Sequence, residues 1–274
     1  MFNRLSLTEE AKREGVPMLP VSLEYSGARF ELERVGGDLG IRLPLSAVEG
    51  VTEIDARIIT LERVFKPFDS LEDVYKRVKI AFDKFWNLAQ AGAFSSFGSE
   101  RDVLWQLGVL QNRLGSPGKD RDPLLEFPSI SKQDLATLER LTTFERLEWD
   151  LRSTRTTLGA HPLALMRDGL DRAGVTPSNR LEDAQKTAVA GIVLSRQRPN
   201  TANGFVFILL EDEFGHCQAI ASPDMWLALE RDLRSKALII SGVVQRVRGF
   251  KTITVEQVMP LTRLSVGQSG APKA

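Results

Sequence analysis

Cysteine is almost absent from this chain. One residue in 274, Cys217, rules out an internal disulfide framework and fits a reducing compartment. Histidine is nearly as scarce, with His161 and His216 alone, and neither has Cys, Asp or Glu neighbours at metal-ligand spacing. Net charge of one sign is missing too: 36 Lys and Arg balance 36 Asp and Glu, so any pull toward nucleic acid or membrane must come from local patches. No apolar run approaches membrane-spanning length, and Met1 to Gly15 is charged and lacks a signal-peptide core; the expected location is the cytosol, away from membranes. There is no Walker A loop, no GxSxG and no dinucleotide fingerprint, so no catalytic residue, metal or cofactor is assigned.

What is present is concentrated between residues 184 and 264. Lys186 to Pro199, Phe205 to Glu213 and Cys217 to Ala221 are β-branched or aromatic runs bounded by turn residues. Pro223 opens a helical segment, Asp224 to Leu233, and Ala237 to Val247 and Thr252 to Val258 read as two more strands. Three strands, a helix and two strands is the order of an OB-fold, a five-stranded barrel that holds single-stranded nucleic acid or oligosaccharide. The second strand is apolar on both faces, with Phe205, Phe207 and Leu209 on one side and Val206, Ile208 and Leu210 on the other. One set fills the barrel; the other is either covered by a neighbouring domain or used. Glu211-Asp212-Glu213 has the composition of a metal site, but an acidic turn between strands is the stronger reading.

The N-terminal half reads as helical. Ser6 to Glu14 starts with a capping box and stops at Gly15. Val16 to Tyr25 is extended, and Phe30 to Val35 with Leu39 to Leu45 forms a hairpin around Gly36-Gly37-Asp38. Ala47 to Ile59 has the pattern of a helix-hairpin-helix, whose turn amides meet a nucleic-acid phosphate. Gly50 supplies the first turn glycine; Thr52 stands where a second is usual and is expected to cap the next helix. An ordinary helix pair in a core is the competing reading. A second unit runs from a helix over Leu71 to Ala89 through Ala91-Gly92-Ala93-Phe94 to a helix capped by Ser99, with Phe82, Phe85, Trp86 and Leu88 at core-like spacing. Gly115 to Pro123 is a linker, helix returns over Ser131 to Leu151, and a short helix spans Leu163 to Ala173.

Several long stretches resemble one known family. Glu148-Trp149-Asp150-Leu151-Arg152, Leu158 to Leu163, Ala190 to Ala202 and Gly204 to Glu213 are similar to the C-terminal part of bacterial C-family DNA polymerases, the alpha subunits of polymerase III. The Arg196-Gln197-Arg198-Pro199 turn and the Glu148 to His161 region resemble most the error-prone, damage-tolerant branch. Ala11 to Pro20 and Gln90 to Gly98 resemble the end of the fingers and the tandem helix-hairpin-helix region. The resemblance implies a DNA-binding part of a translesion, repair-associated polymerase, without the palm and PHP domains that carry catalysis.

The expected architecture is α+β, with fingers-end and helix-hairpin-helix residues 1–114, a linker and connector 115–183, an OB-fold barrel 184–264 and a flexible tail 265–274. The expected partners are single-stranded and duplex DNA, together with a palm- and PHP-bearing chain or other translesion-synthesis proteins. Arg196, Arg198 and Phe205 on the first barrel loop, and Arg246, Arg248, Phe250 and Lys251 on the last, are the candidate single-strand contacts; Gly50 and Thr52 are the duplex candidates. Residues 186–264 hold ten Lys and Arg against seven Asp and Glu, and no acid interrupts Gln197 to Gly204 or Arg246 to Lys251. The open alternatives are a protein-interaction module that binds no DNA and a decayed remnant without activity.

Overall fold

The computed structural model describes residues 3–115, 139–247 and 250–261. The chain forms two compact units, one of Met1–Glu10 with Ala160–Ala274 and one of Ala11–Gly159. The expected linker at 115–123, the start of the helix at Ser131 and the tail fall largely outside the described residues.

The barrel unit has the expected strand order. β4 (Lys186–Gln197), β5 (Val206–Asp212), β6 (Gly215–Ala221), β7 (Ala237–Val247) and β8 (Phe250–Pro260) close in the order β4-β5-β6-β8-β7, with α8 (Pro223–Leu233) between β6 and β7. Within the barrel, among the described residues, only β6 and β8 run parallel. Two register shifts bend the sheet to closure, at Val193/Ser195 in β4 and at Ser241/Gly242 in β7. At the second, a Cβ on Gly242 would lie 1.8 Å from the Thr254 carbonyl oxygen, so only glycine fits. β5 alternates as its sequence predicts: Val206, Ile208 and Leu210 are buried with Val189, Leu238, Ile240, Val244 and Ile253. Each such side chain contributes roughly 1.5–3 kcal/mol by leaving water. Ser222 accepts a hydrogen bond from Met225 N to start α8, Pro223 takes its first turn, and buried Leu233 plugs the barrel.

In the other unit, α1 (Arg4–Arg13), which begins in the barrel unit, leads to a three-stranded sheet of β1 (Met18–Leu19), β2 (Glu31–Val35) and β3 (Asp38–Arg42), ordered β1-β3-β2. The expected hairpin is thus present, while the extended stretch before it narrows to two paired residues. Then follow α2 (Glu53–Phe65), α3 (Leu71–Arg77), α4 (Phe82–Gln90), α5 (Glu100–Leu114) and α6 (Thr143–Ser153). The single helix expected over Leu71 to Ala89 is two. Val78 and Ile80 are both buried, and on a continuous helix they would point some 200° apart, so the chain extends between them. Tyr75, Phe85, Leu88, Phe94 and Leu107 form the centre of this core with Leu23, Leu45 and Ile59. In the barrel unit, the helix expected over Leu163 to Ala173 becomes a 3-10 turn, Ala164–Met166, and α7 (Arg167–Arg172).

Candidate nucleic-acid interface

The first hairpin turn has the backbone its glycine implies. Gly50 sits at φ +78, a conformation that strains other residues. Thr52 caps α2 as its spacing predicts: its Oγ1 accepts from Asp55 N at 3.2 Å. The reciprocal contact fills the site a phosphate would use. Asp55 Oδ2 accepts from Thr52 N at 2.8 Å, from Thr52 Oγ1 at 2.6 Å and from Lys84 Nζ at 2.7 Å. Burial would raise the Asp55 pKa, but Lys84 and the Thr52 donors outweigh it and hold the carboxyl below its ordinary range. Glu49 N donates to Ser153 O at 2.6 Å, Val51 N to Val48 O at 3.1 Å, and Asn87 Nδ2 to Glu49 O at 2.9 Å. The turn is braced by the protein's own groups.

The second turn follows the same plan. Gly92 has φ +76, and the amides of Gly92, Ala93 and Ser95 donate to Ala89, Leu88 and Gly92 carbonyls. Ser99 and Asp102 form a capping box at the start of α5, and Arg146 pairs with Glu100 at 2.5 Å.

The barrel face is more open. The β5–β6 register places Phe207 beside Ile220 and Leu209 beside Gln218, all half-buried on the outer side. Phe205 is 39% exposed at the start of this face. Arg198 is exposed and has no hydrogen bond or ion pair among the described residues. Arg196, two residues away, points elsewhere: its Nε donates to Leu233 O at 2.6 Å and its Nη2 to Ser235 O, so it anchors the end of α8. Burial, and then Arg234, lower its pKa from the ordinary arginine value.

The two loops occupy opposite ends of the face. β5 begins at the first loop, and its far end pairs Asp212 with Gly215, near where β8 joins β6 at Gln218 and Thr252. Six residues of strand separate them, about 20 Å. At the far end Arg246 is exposed while its backbone N donates to Asp183 Oδ1 at 3.1 Å, and Lys251 Nζ donates to Asn179 O at 3.2 Å. Arg248 lies outside the described residues. The backbone of Phe250 pairs with Val247.

The family model described as a helix-hairpin-helix motif matches residues 15–104. The error-prone DNA polymerase of Corynebacterium efficiens is 34% identical over 266 residues, covering 95% of this chain and 23% of the relative. This chain is a relative of error-prone DNA polymerases. The enzyme of Cutibacterium acnes is 36% identical over 228 residues, 79% of this chain and 19% of its own length, and that of Burkholderia pseudomallei is 32% identical over 272 residues, 95% and 25%. The chain thus spans about a quarter of the length of the polymerases it matches. The matching part is the C-terminal one, as the resemblance implied.

Beside these relatives' shared segment, the remaining polar groups serve structure. Buried Asp212 accepts from Ser178 N at 2.7 Å, Ser178 Oγ at 2.6 Å, Phe214 N at 2.9 Å and Gly215 N at 3.0 Å, which closes the β5–β6 turn. Glu213 takes Arg167 on both oxygens, at 2.5 and 2.9 Å; burial raises its pKa, but Arg167 brings it below the ordinary value. Burial lowers the pKa of His161, whose Nδ1 accepts from Leu163 N at 3.1 Å. Burial pushes the Cys217 thiol up to about 12, which makes it a poor nucleophile. Among the described residues no group of three His, Cys, Asp or Glu could hold a metal ion, and no helix is long and apolar enough to cross a membrane. Sequence reading missed the connector residues Ser178, Asn179 and Asp183, which tie down the far end of the face. Their partners lie some 34 to 72 positions away, so no local pattern announces them.

Proposed function

We propose that this chain is a DNA-binding segment of an error-prone polymerase and that its barrel takes up single-stranded template. The observation that carries this reading is the open end of the β5–β6 face, where exposed Arg198 and Phe205 stand beside half-buried Phe207. OB-folds bind strands across this face between the first and last loops. A base stacked on Phe205 contributes about 1–3 kcal/mol, and Arg198 meets the adjacent phosphate. Arg246 and Lys251 extend the charge at the far end; Arg248 and Phe250 belong to the same loop by sequence. Arg196 acts through α8 and the loop it steadies.

Duplex binding at the hairpins is the weaker part of this reading. Gly50 and Thr52 shape the first turn, yet Asp55 holds the Thr52 amide, and Glu53 with Asp55 places negative charge at the helix start. Fluorescence anisotropy with a fluorescein-labelled oligothymidylate and with a hairpin duplex tests both parts. Tighter binding of the single strand, weakened in Phe205→Ala, is the expected result. Equal affinities for both DNAs, unmoved by that variant, would overturn the barrel reading.

A further inference from the structure

A cavity of about 280 Å³ opens beside the second hairpin turn, and every residue lining it belongs to the 11–159 unit. Pockets for drug-sized ligands start at roughly 300 Å³, so this one admits a single ring system and little more. Val21, Leu43, Ala91 and Leu158 give it apolar walls. Arg146 enters beside the turn: a Cβ on Gly92 would lie 3.8 Å from its Nη1. Thr156 lines the same space, wholly buried, and its Oγ1 has no hydrogen-bond partner among the described residues. A buried hydroxyl left unpaired is costly, and a ligand in the cavity removes that cost.

α6 places Arg146 and Asp150 four residues apart on one face, where opposite charges ordinarily join. Here they do not. Arg146 Nη2 pairs with Glu100 Oε1 at 2.5 Å, and its other donors have no hydrogen bond among the described residues. Asp150 Oδ2 accepts from Thr157 Oγ1 at 2.9 Å, and no cation pairs with this carboxylate among the described residues. Burial raises the Asp150 pKa, against the opposing pull of Thr157 and Arg146. Arg146 with Glu100 is neutral as a unit, so Asp150 is the one uncompensated charge among the lining residues. A phosphate or carboxylate inside the cavity is repelled by it. A purely apolar ring leaves Asp150 and Thr156 unpaired, and a small ammonium ion sets its own charge against apolar walls.

We infer that this cavity takes a guanine base, from a strand or from a free nucleotide, with its N–H edge on Asp150 and its carbonyl on Arg146 or Thr156. Guanine offers two adjacent N–H donors, at N1 and N2, beside the O6 acceptor. An ionised carboxylate only accepts, and a guanidinium only donates, so the two edges match. Adenine and cytosine set a ring-nitrogen acceptor next to their amino group, and thymine flanks its one N–H with two carbonyls. Each of these turns a lone pair toward Asp150. The flat faces of the base suit the apolar walls, as in other slots that read an extruded base by its Watson–Crick edge. The phosphate stays outside, where Lys12 Nζ donates to the carbonyl of exposed Gly159 at 2.6 Å. The inference deepens the DNA-binding reading above and rests on it for the strand as a source.

The test is isothermal titration calorimetry of the full chain with deoxyguanosine and deoxyinosine monophosphates, which differ only in the N2 amino group. The expected result is one site for the guanine nucleotide, with the inosine analogue at least tenfold weaker and the other three DNA nucleotides weaker still. No binding of the guanine nucleotide at millimolar concentration, or equal affinity for all five, overturns the inference. Asp150→Asn keeps the side-chain shape and the Thr157 contact, and should cost at least tenfold in affinity for the guanine nucleotide. Unchanged affinity in a variant with native circular dichroism overturns the inference. Thr156→Val covers a failure of that variant to fold: a severalfold loss supports the site, and no loss overturns it. Fluorescence anisotropy then separates the sources, with oligothymidylate carrying one central guanine against plain oligothymidylate. Tighter binding of the first, lost in Asp150→Asn, supports the strand; equal binding beside a working nucleotide site supports the free nucleotide. A guanine site in a chain that takes up no oligothymidylate supports the cavity and removes the barrel reading instead.

Discussion

The hairpin turns and the barrel face make opposite use of similar chemistry. Both hairpins carry the glycine geometry associated with phosphate contact, and both have their turn donors engaged by carbonyls or by an internal carboxylate. The barrel face has no such signature in its backbone, yet it leaves Arg198 and Phe205 exposed at its entrance. A motif describes the path of the chain. Binding depends on which donors remain after the fold has satisfied itself, because a donor already paired gains little by exchanging partners.

The largest break in this contrast comes from removing the barrel. Gly242→Val drives its side chain into the Thr254 carbonyl and should cost about 3 kcal/mol or more. Single-strand affinity should vanish while the helical circular dichroism of the 11–159 unit persists. Retained affinity would place the site outside the barrel.

Asp55→Asn comes next. It weakens three contacts at the first turn and should lower stability by roughly 1–3 kcal/mol at pH 7. The Asp55 pKa is lowered on folding, so its stabilisation is complete above the unfolded carboxyl value near pH 4 and fades as the pH falls through the folded value. Thermal melts of the two proteins should therefore converge as the pH falls below that value. The same variant removes one negative charge from the start of α2, and duplex affinity should rise; a fall would show that the carboxylate shapes a working site.

Phe205→Ala should weaken single-strand binding by about 1–3 kcal/mol at unchanged melting temperature. Gly50→Val should strain the turn by about 1 kcal/mol or more, and duplex affinity should change less than stability does. Arg198→Ala is the mildest: the slope of log affinity against log salt should flatten by about 0.7, the share of one lost phosphate contact. An unchanged slope would assign Arg198 to solvent.

Most of the barrel was legible because its strands are β-branched runs between strong turn residues, and β5 shows its inward face by simple alternation. Strand ends were less legible: β8 reaches Phe250 and Pro260 through cross-strand bonds that extend past its apolar centre. The α3–α4 break was hidden because Val78 and Ile80 also suit a helix until their joint burial is known. Within the candidate site, the cap by Thr52 could be read from three-residue spacing, whereas the fate of Arg196 could not. Its partners are carbonyls 37 and 39 positions away, and carbonyls leave no trace in a sequence.

The barrel unit is discontinuous in the chain, and this bears on its synthesis. Ser6 Oγ donates to Glu211 Oε1 at 3.4 Å across 205 positions. On a ribosome adding about 5–20 residues per second, the start of α1 emerges some 10–40 s before its partner strand exists. The intervening residues can fold in that interval, while the first turns of α1 wait in solvent with Leu5, which the finished fold buries, and Ser6. Translation speed over the whole stretch between Ser6 and Glu211 therefore sets how long that end stays accessible to chaperones and proteases.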